Sequence, residues 1–197
     1  MFISFEGLDG CGKTTQARLL ADALEAEGRS VVRVREPGGT VTGERIRELL
    51  LDPTSQIAPA AEALLYAAAR AQLVAEVIRP ALNAGSDVVA DRFIDSSLAY
   101  QGVARRLGVD QVLAANELAL GGIRPDRTLL LTLPPETAGE RRGPEPDRIE
   151  AEDGAFHERV AEGFAEAAAR FPGRIRVVDG SGTPDEVLAR VREAISA

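Results

Sequence analysis

The 197-residue sequence predicts an α/β fold in which a five-stranded parallel sheet carries helices on both faces. Short apolar segments alternate with helical patterns along the chain, which is the order that a parallel sheet requires. The segment 87–91 (DVVAD) is short and apolar, as a strand buried on both faces should be. No repeat, linker or low-complexity tract interrupts the alternation, so we expect a single domain over residues 1–197.

The first half of the chain begins with a predicted strand followed by a helix. Residues 2–5 alternate apolar and polar side chains and are followed by Gly7, which is typical of a strand. Apolar side chains recur at helical spacing over 13–27, and Gly28 ends that helix. The other predicted elements of this half are a strand over 31–34, helices over 43–51 and 59–83, and the strand over 87–91.

The second half continues the alternation. Residues 95–120 predict a helix that is interrupted over 102–108, a stretch with a glycine at each end. A strand over 128–133 stops at two prolines, and a stretch rich in arginine and proline follows over 141–148. The last predicted elements are a helix over 153–169, a strand over 174–179 and a helix over 184–194.

Composition excludes several classes of protein. The chain has 31 acidic and 23 basic residues, a net charge of −8, which argues against a sequence-independent nucleic-acid binder. The single cysteine, Cys11, excludes a disulfide within the chain, and the single histidine, His157, excludes a Cys/His zinc site. No signal-peptide pattern and no membrane-length apolar stretch is visible. We therefore expect a soluble, cytoplasmic protein that binds neither nucleic acid nor membrane.

A phosphate-binding motif joins the first predicted strand to the first helix. Residues 7–14 (GLDGCGKT) fit the P-loop pattern G-x4-G-K-[ST], in which backbone N–H groups and a helix N-terminus surround phosphates. Lys13, the only lysine of the chain, is expected to reach the β- and γ-phosphates, and the Thr14 hydroxyl is expected to ligate Mg²⁺. The predicted nucleotide site comprises Gly7, Leu8, Asp9, Gly10, Cys11, Gly12, Lys13 and Thr14.

Because GTPases, motor ATPases and small-molecule kinases share the P-loop, the reaction must be inferred from other residues. Asp91 and Arg92 fall at the end of the third predicted strand, where α/β sheets bind ligands. An acid there can hold a metal-bound water, and an arginine can span two phosphates. A strand-end salt bridge is the structural alternative.

Two sets of residues at helical spacing predict a second binding surface. Tyr66 and Arg70 are four residues apart and share a helix face, on which a base could stack and hydrogen-bond. Ser97, Tyr100 and Gln101 share a second face for the same reason. Periodicity alone is equally consistent with Tyr66 as a core residue.

Five segments, in this order, resemble the bacterial thymidylate kinase (dTMP kinase) family: 7–16 (GLDGCGKTTQ), 35–40 (REPGGT), 91–93 (DRF), 96–102 (SSLAYQG) and 147–150 (DRIE). The resemblance runs nearly end to end. It implies a P-loop nucleoside monophosphate kinase fold with a lid at about residues 135–152. It also implies that ATP and dTMP are converted to ADP and dTDP with Mg²⁺, for dTTP and DNA precursor synthesis, and that the molecule is a homodimer.

The resemblance also assigns roles to the acceptor side of the site. It implies that Arg92 bridges the acceptor phosphate and the transferred phosphoryl group, and that Arg47 grips the acceptor phosphate. Asp9 and Glu36 would organise metal, water and the acceptor sugar. In the family the thymine ring lies against the positions of Tyr66 and Arg70. The glutamine at position 101 recognises the pyrimidine edge, and the tyrosine at position 100 crowds the sugar 2′ position. The expected dTMP-binding set is Glu36, Arg47, Tyr66, Arg70, Arg92, Ser97, Tyr100 and Gln101.

The family branch that this chain resembles supplies a catalytic arginine from the lid. Residues 8–11 contain no arginine, whereas 141–148 contain three, and we favour Arg142 and Arg148 for contact with the phosphates. An arginine on the migrating group can raise the rate by ~10³–10⁵. The expected catalytic set is Lys13, Arg92, Asp9, Arg142 and Arg148, with Thr14 and Asp91 at the metal. The alternative for the lid arginines is a solvated loop in which they pair with glutamates.

Two other functions are compatible with the sequence. A kinase of another nucleoside monophosphate would keep the P-loop but change the two helix faces. A P-loop regulatory NTPase would hydrolyse nucleotide without an acceptor, and its ATP hydrolysis would be unaffected by dTMP.

Overall fold

Five parallel strands form the centre of the fold, as predicted. The computed structural model describes residues 1–134, 137 and 146–196. The strand order is β2-β3-β1-β4-β5, and Phe5 of β1 lies opposite Asp91 of β3 on one side and Leu129 of β4 on the other. The strands are β1 (Phe2–Glu6), β2 (Val31–Arg35), β3 (Asp87–Asp91), β4 (Arg127–Thr132) and β5 (Ile175–Asp179), within two residues of the predicted bounds.

The helices also follow the predicted order. They are α1 (Lys13–Ala26), α2 (Val41–Leu51), α3 (Pro59–Leu73), α4 (Arg79–Asn83), α5 (Ile94–Ser97), α6 (Val109–Leu120), α7 (Gly154–Arg170) and α8 (Pro184–Ser196). Helix α2 begins two residues earlier than predicted because the Thr40 side chain accepts a hydrogen bond from the Gly43 N–H and caps it. Within the described parts of the chain, no helix has both the length and the apolar character needed to span a bilayer.

Two segments predicted as α-helix are π-helical instead. They are Val74–Ile78, between α3 and α4, and Leu98–Ala104, after α5. The first precedes Pro80, which has no N–H for an intrahelical bond and favours a local irregularity. The predicted interruption over 102–108 is shorter in the structure, because the π-helical segment continues to Ala104 and α6 starts after Gly108, at φ 90°.

Side chains of β1 point alternately to the two faces of the sheet and place the core. Ile3 and Phe5 pack in a buried cluster with side chains of α1 and α8. Phe2 packs on the opposite face with side chains of α3 to α6. Ser4 and Glu6 are polar but completely buried on that second face, beneath α5. Glu6 is the last residue of β1 and lies at the carboxyl edge of the sheet, where the P-loop begins.

Candidate active site

The loop between β1 and α1 has the conformation that a phosphate-binding loop requires. Gly7, Gly10 and Gly12 have φ values of 133°, 85° and 94°, in the region that side chains disfavour. A Cβ on Gly7 would also fall against the carbonyl oxygen of Leu131 in β4. The glycines therefore let the loop turn tightly over the end of the sheet, directly ahead of the α1 N-terminus.

Lys13 is held inside this loop. Its side chain is 7% exposed, and Nζ donates to the Leu8 carbonyl oxygen at 2.8 Å and lies 3.7 Å from Asp9 Oδ1. Burial lowers the pKa of Lys13, and the nearby Arg92 lowers it further. A phosphate anion beside Nζ would offset both effects, so the geometry favours an anionic ligand in the loop.

The side chains of Thr14 and Asp91 bring two oxygen groups together at the start of α1 and the end of β3. The Thr14 hydroxyl donates to Asp91 Oδ2 at 2.5 Å, and both residues line the main cavity. Among the described residues, no group of three or more Asp, Glu, His or Cys side chains could hold a metal ion. Mg²⁺ commonly binds through one or two carboxylates together with substrate phosphates, so this pair of hard oxygen donors fits it.

Arg92 lies at the centre of the site in an unusual backbone conformation. Its φ is 69°, which is uncommon for a residue with a side chain and concentrates at functional sites. The guanidinium donates to Gly7 O at 3.1 Å, to Ser96 Oγ at 2.9 Å, and to the Asp9 carboxylate. Tyr100 Oη lies 3.3 Å from Nη2. Arg92 thus links the P-loop to α5 and the π-helical turn that follows.

Asp9 is anionic and bridges the two cations of the loop. Burial alone would raise its pKa, but the charges of Arg92 and Lys13 hold the pKa of Asp9 well below its usual range. The Tyr100 hydroxyl also donates to Asp9 Oδ2 at 3.2 Å. The carboxylate therefore fixes Arg92 and Tyr100 relative to the loop.

A buried ion pair forms the opposite wall. Arg70 Nη2 donates to Glu36 Oε2 at 2.6 Å, and both side chains are nearly inaccessible to solvent. Burial raises the pKa of Glu36, although Arg70 opposes that shift. Arg70 Nη2 also lies 3.1 Å from Ser97 Oγ, and Arg70 Nη1 donates to Asn116. These bonds fix α3 against the loop after β2 and against α5 and α6.

One cavity of about 860 Å³ joins the P-loop to this wall. It brings together most of the residues predicted for the nucleotide, metal and acceptor sites. Arg47, which donates to the Pro37 carbonyl oxygen at 2.9 Å, lies on its rim. The predicted residues that line it are Asp9, Gly10, Gly12, Lys13, Thr14, Glu36, Arg47, Tyr66, Arg70, Asp91, Arg92, Ser97, Tyr100 and Gln101.

Four predicted residues in the described part of the chain do not line this cavity. Gly7, Leu8 and Cys11 line a separate apolar groove of about 350 Å³ between the loop, β4 and α7. Arg148 does not line the cavity, since its Nε donates to Leu50 O at 2.7 Å and its Nη2 donates to Glu62 Oε2 at 2.7 Å. Arg142 falls outside the described residues.

Sequence reasoning missed three buried polar side chains that support the site. Glu6 accepts hydrogen bonds from the Phe93 N–H at 2.8 Å and from Ser96 Oγ at 2.5 Å, and burial together with Asp95 raises the pKa of Glu6 to about 8. The signal available in the sequence was an acidic residue at the end of the otherwise largely apolar strand 2–6. Glu62 stands four residues before Tyr66, a spacing that the helix-face argument could have used. Asn116 carried no such signal.

Comparisons with known proteins agree with this arrangement. The family model described as thymidylate kinase matches residues 5–191. The thymidylate kinase of Caldanaerobacter subterraneus subsp. tengcongensis is 50% identical over 197 residues, which cover 100% of this chain and 93% of the relative. That of Gloeobacter violaceus is 51% identical over 199 residues, covering 99% and 94%. The crystal structure of thymidylate kinase from Ehrlichia chaffeensis superposes with a TM-score of 0.82 at 32% identity, covering 100% of this chain and 98% of that one. The chain belongs to the thymidylate kinase family.

Proposed function

We propose that this protein is a dTMP kinase, which transfers the γ-phosphoryl group of ATP to dTMP and releases ADP and dTDP. The observation that carries the proposal is the single cavity in which Lys13 of the P-loop, Arg92 of the strand end and the Tyr66–Arg70 face of α3 meet. A cavity that opens onto both a phosphate loop and an aromatic and polar wall suits two nucleotides held phosphate to phosphate.

The donor side of the cavity supports phosphoryl transfer. Such transfer depends on positioning and charge neutralisation more than on covalent chemistry by the protein. Lys13 and the loop N–H groups would bind the β- and γ-phosphates of ATP. Arg92, held between the P-loop and α5, would neutralise charge between donor and acceptor.

Mg²⁺ is the proposed cofactor, with the Thr14 hydroxyl and the Asp91 carboxylate as its protein ligands. When bound, the ion would neutralise charge on the donor phosphates. Asp9 stays outside this pair because it is engaged by Arg92 and Lys13.

The acceptor side supports a pyrimidine deoxynucleotide. Tyr66 offers a ring for stacking, and Arg70 and Gln101 offer polar groups to the base edge. Tyr100, bonded to Asp9, would lie against the sugar. Arg47 and Arg92 would bind the acceptor phosphate, with Glu36 near the sugar.

A lid over residues 135–152 is part of the proposal, within a single domain of 197 residues. Arg142 or Arg148 would contact the transferred group when the lid closes over both nucleotides. For Arg148 this requires release of its bonds to Leu50 and Glu62. Closure would exclude water and so suppress ATP hydrolysis.

We also propose a homodimer in the cytoplasm. Leu64 on α3 and Leu118 on α6 are large apolar side chains that are 58% and 93% exposed, which supports burial of these helices against a second copy. The lone cysteine, buried Cys11, suits a reducing compartment.

A steady-state screen of acceptors tests the activity. ATP and Mg²⁺ would be combined with dTMP, dUMP, dCMP or dAMP, and the diphosphate product would be quantified by chromatography. We expect the highest kcat/KM for dTMP, with dUMP lower by ~10–200-fold because only a methyl group separates the two. Preference for another acceptor would support the alternative kinase, and ATP hydrolysis unaffected by dTMP would support the regulatory NTPase.

A further inference from the structure

Glu62 is a completely buried carboxylate that lies outside the cavity and contacts Gln101, which lines it. Its Oε1 accepts hydrogen bonds from Gln101 Nε2 at 3.0 Å and from Arg105 Nε at 3.1 Å. Its Oε2 accepts from Arg105 Nη2 at 3.2 Å and from Arg148 Nη2 at 2.7 Å. Two guanidinium groups, those of Arg105 and Arg148, therefore compensate the charge of this solvent-inaccessible carboxylate.

This carboxylate determines which way the Gln101 amide faces. An ionised carboxylate only accepts hydrogen bonds, so the NH₂ group of Gln101 must face Glu62. The amide oxygen, Oε1, is then directed away from Glu62. Gln101 lines the main cavity, and no described residue donates a hydrogen bond to this oxygen. The pocket is thereby given a hydrogen-bond acceptor at position 101.

Arg70 gives the same wall a hydrogen-bond donor. Among the described residues, its Nη1 group has one acceptor, Asn116, and so retains a second N–H. Arg70 and Gln101 line the same cavity, and a donor together with an acceptor matches the C4 carbonyl and N3–H of thymine and uracil. Cytosine presents the opposite pattern, with an acceptor at N3 and an amino group at C4.

We propose that Glu62 is a specificity-determining residue: by fixing the amide of Gln101, it makes the pocket select 4-oxo-pyrimidine nucleotides and reject 4-amino-pyrimidine nucleotides. The inference rests on the proposed function and goes further, because it assigns base selection to a residue outside the cavity. It also separates two kinds of discrimination. The orientation of Gln101 distinguishes thymine from cytosine but does not distinguish thymine from uracil.

The substitution Glu62→Gln tests this directly. The Oε2 position faces two guanidinium groups, whereas the Oε1 position faces one, through Arg105 Nε, beside a Gln101 amide that can turn over. The new amide oxygen therefore belongs at Oε2, and the new NH₂ takes the Oε1 position, facing Gln101. Gln101 must then turn its oxygen toward residue 62 and its NH₂ toward the cavity. We expect the kcat/KM ratio of dTMP to dCMP to fall by roughly tenfold or more, since a mismatched pair leaves buried polar groups unsatisfied. The ratio of dTMP to dUMP should stay within about twofold, because both bases present the same edge.

Two variants serve as controls. Glu62→Asp keeps an acceptor-only carboxylate, so the preference for dTMP over dCMP should survive even if overall activity drops. Glu152→Gln removes a carboxylate that pairs with Arg105 at 2.6 Å but has no contact with Gln101, so the same ratio should match the wild type. A loss of selectivity in Glu152→Gln equal to that in Glu62→Gln would contradict the inference, because it would indicate general disruption of the network.

The outcomes separate this inference from the proposed function. A wild-type enzyme that does not phosphorylate dTMP overturns the proposed function, whereas a dTMP-selective wild type with an unchanged ratio in folded Glu62→Gln overturns only the role of Glu62. If Glu62→Gln does not fold, hydrogen exchange of the Gln101 side-chain amide in ¹⁵N-labelled wild type gives a second measurement. The signal of that amide is assigned by its loss in Gln101→Ala. Slow proton exchange of that amide, with and without dTMP, is expected, and rapid exchange in both states contradicts a fixed orientation.

Discussion

Single side chains of the candidate site are held by neighbours of opposite charge. Asp9 separates Lys13 from Arg92 and contacts both. On the opposite wall, Glu36 pairs with Arg70. Such preorganised charges need little rearrangement when phosphate oxygens arrive, which is what phosphoryl transfer demands.

Replacing Lys13 removes the only ammonium of the loop. We expect Lys13→Ala to lower kcat by at least about 100-fold, the scale of losing one preorganised charge at a reacting group. The control is Arg18→Ala, which removes an exposed cation from the same helix, one that pairs with Asp22. Steady-state assays of both variants check this, and a Lys13→Ala enzyme within tenfold of the wild type would contradict the assigned role.

Glu6 makes stability depend on pH in a stated direction. Its pKa in the folded protein is raised from 4.5 to about 8, so between these values the folded state binds more protons than the unfolded state. The free energy of unfolding therefore decreases as pH rises through that range, by at most about 1.4 kcal/mol per pH unit from this group. Below the lower value the group is protonated in both states and contributes no slope.

Glu6→Gln should flatten that dependence. Urea denaturation at about pH 5 and about pH 8 should give a smaller difference in the free energy of unfolding for the variant than for the wild type. Glu158→Gln, which removes an exposed carboxylate of α7, should behave as the wild type. Equal pH dependence in Glu6→Gln and Glu158→Gln would exclude a special contribution from Glu6.

The sequence predicted the residues of the cavity walls better than the residues behind them. Motif and spacing led to Lys13, Arg92 and the Tyr66–Arg70 pair because these side chains have recognisable neighbours along the chain. Glu6 and Glu62 were missed because their partners come from distant segments, and a glutamate is ordinarily expected at the surface.

Among the secondary-structure elements, the segment from α5 through the π-helical turn contributes most to the site. Residues 94–104 carry Ser97, Tyr100 and Gln101 into the cavity. Helix α7 packs closely on this turn at Gly163, where an added Cβ would lie 2.7 Å from Ala99 Cα and 3.0 Å from Ala99 O. Tight packing at Gly163 therefore supports the position of the turn.

Filling that contact should destabilise the protein. Gly163→Ala is expected to lower the free energy of unfolding by about 1–3 kcal/mol, because the methyl group overpacks α7 against the turn. Alanine ordinarily favours a helix more than glycine does, so without this contact Gly163→Ala would be expected to raise the free energy of unfolding. Gly154→Ala, in the same helix with open space at its Cβ, should be neutral or stabilising by up to about 1 kcal/mol. Thermal or urea unfolding distinguishes the two, and equal behaviour would contradict the packing argument.

The elements themselves were largely predictable, but not the π-helical turns. Buried parallel strands are short apolar runs bounded by turn residues, so all five strands followed from the pattern. Residues 98–101 suit an α-helix equally well, and the local sequence carries no signal for the wider turn.

At the scale of the whole molecule, basic side chains of an acidic protein gather at the carboxyl ends of the strands. The chain carries a net charge of −8, yet the cavity lining has equal numbers of basic and acidic side chains. Its five basic residues are Lys13, Arg35, Arg47, Arg70 and Arg92. Because β1 and β3 are neighbours and end at this edge, the loops that follow them converge there. The fold thus places a local balance of charge where nucleotide phosphates would bind.

The proposed dimer is also a property at this scale. Leu118→Glu places a charge on α6 at a side chain that is 93% exposed in the single chain, so the fold should tolerate it. We expect light scattering during gel filtration to give about twice the chain mass for the wild type and a shift toward the monomer for this variant. Val177→Glu alters an exposed apolar side chain of β5 and should leave the mass unchanged. A monomeric wild type would overturn the dimer proposal without affecting the activity.

The most direct test of the account is a crystal structure with dTMP and a non-hydrolysable ATP analogue bound together. We predict the terminal phosphates of the analogue within hydrogen-bond distance, about 3 Å, of Lys13 Nζ, and the thymine ring against Tyr66 with its N3–H on the Gln101 amide oxygen. Arg92 should lie between the two nucleotides. A loop at residues 7–14 without phosphate, or a thymine ring bound away from Tyr66 and Gln101, would contradict the account.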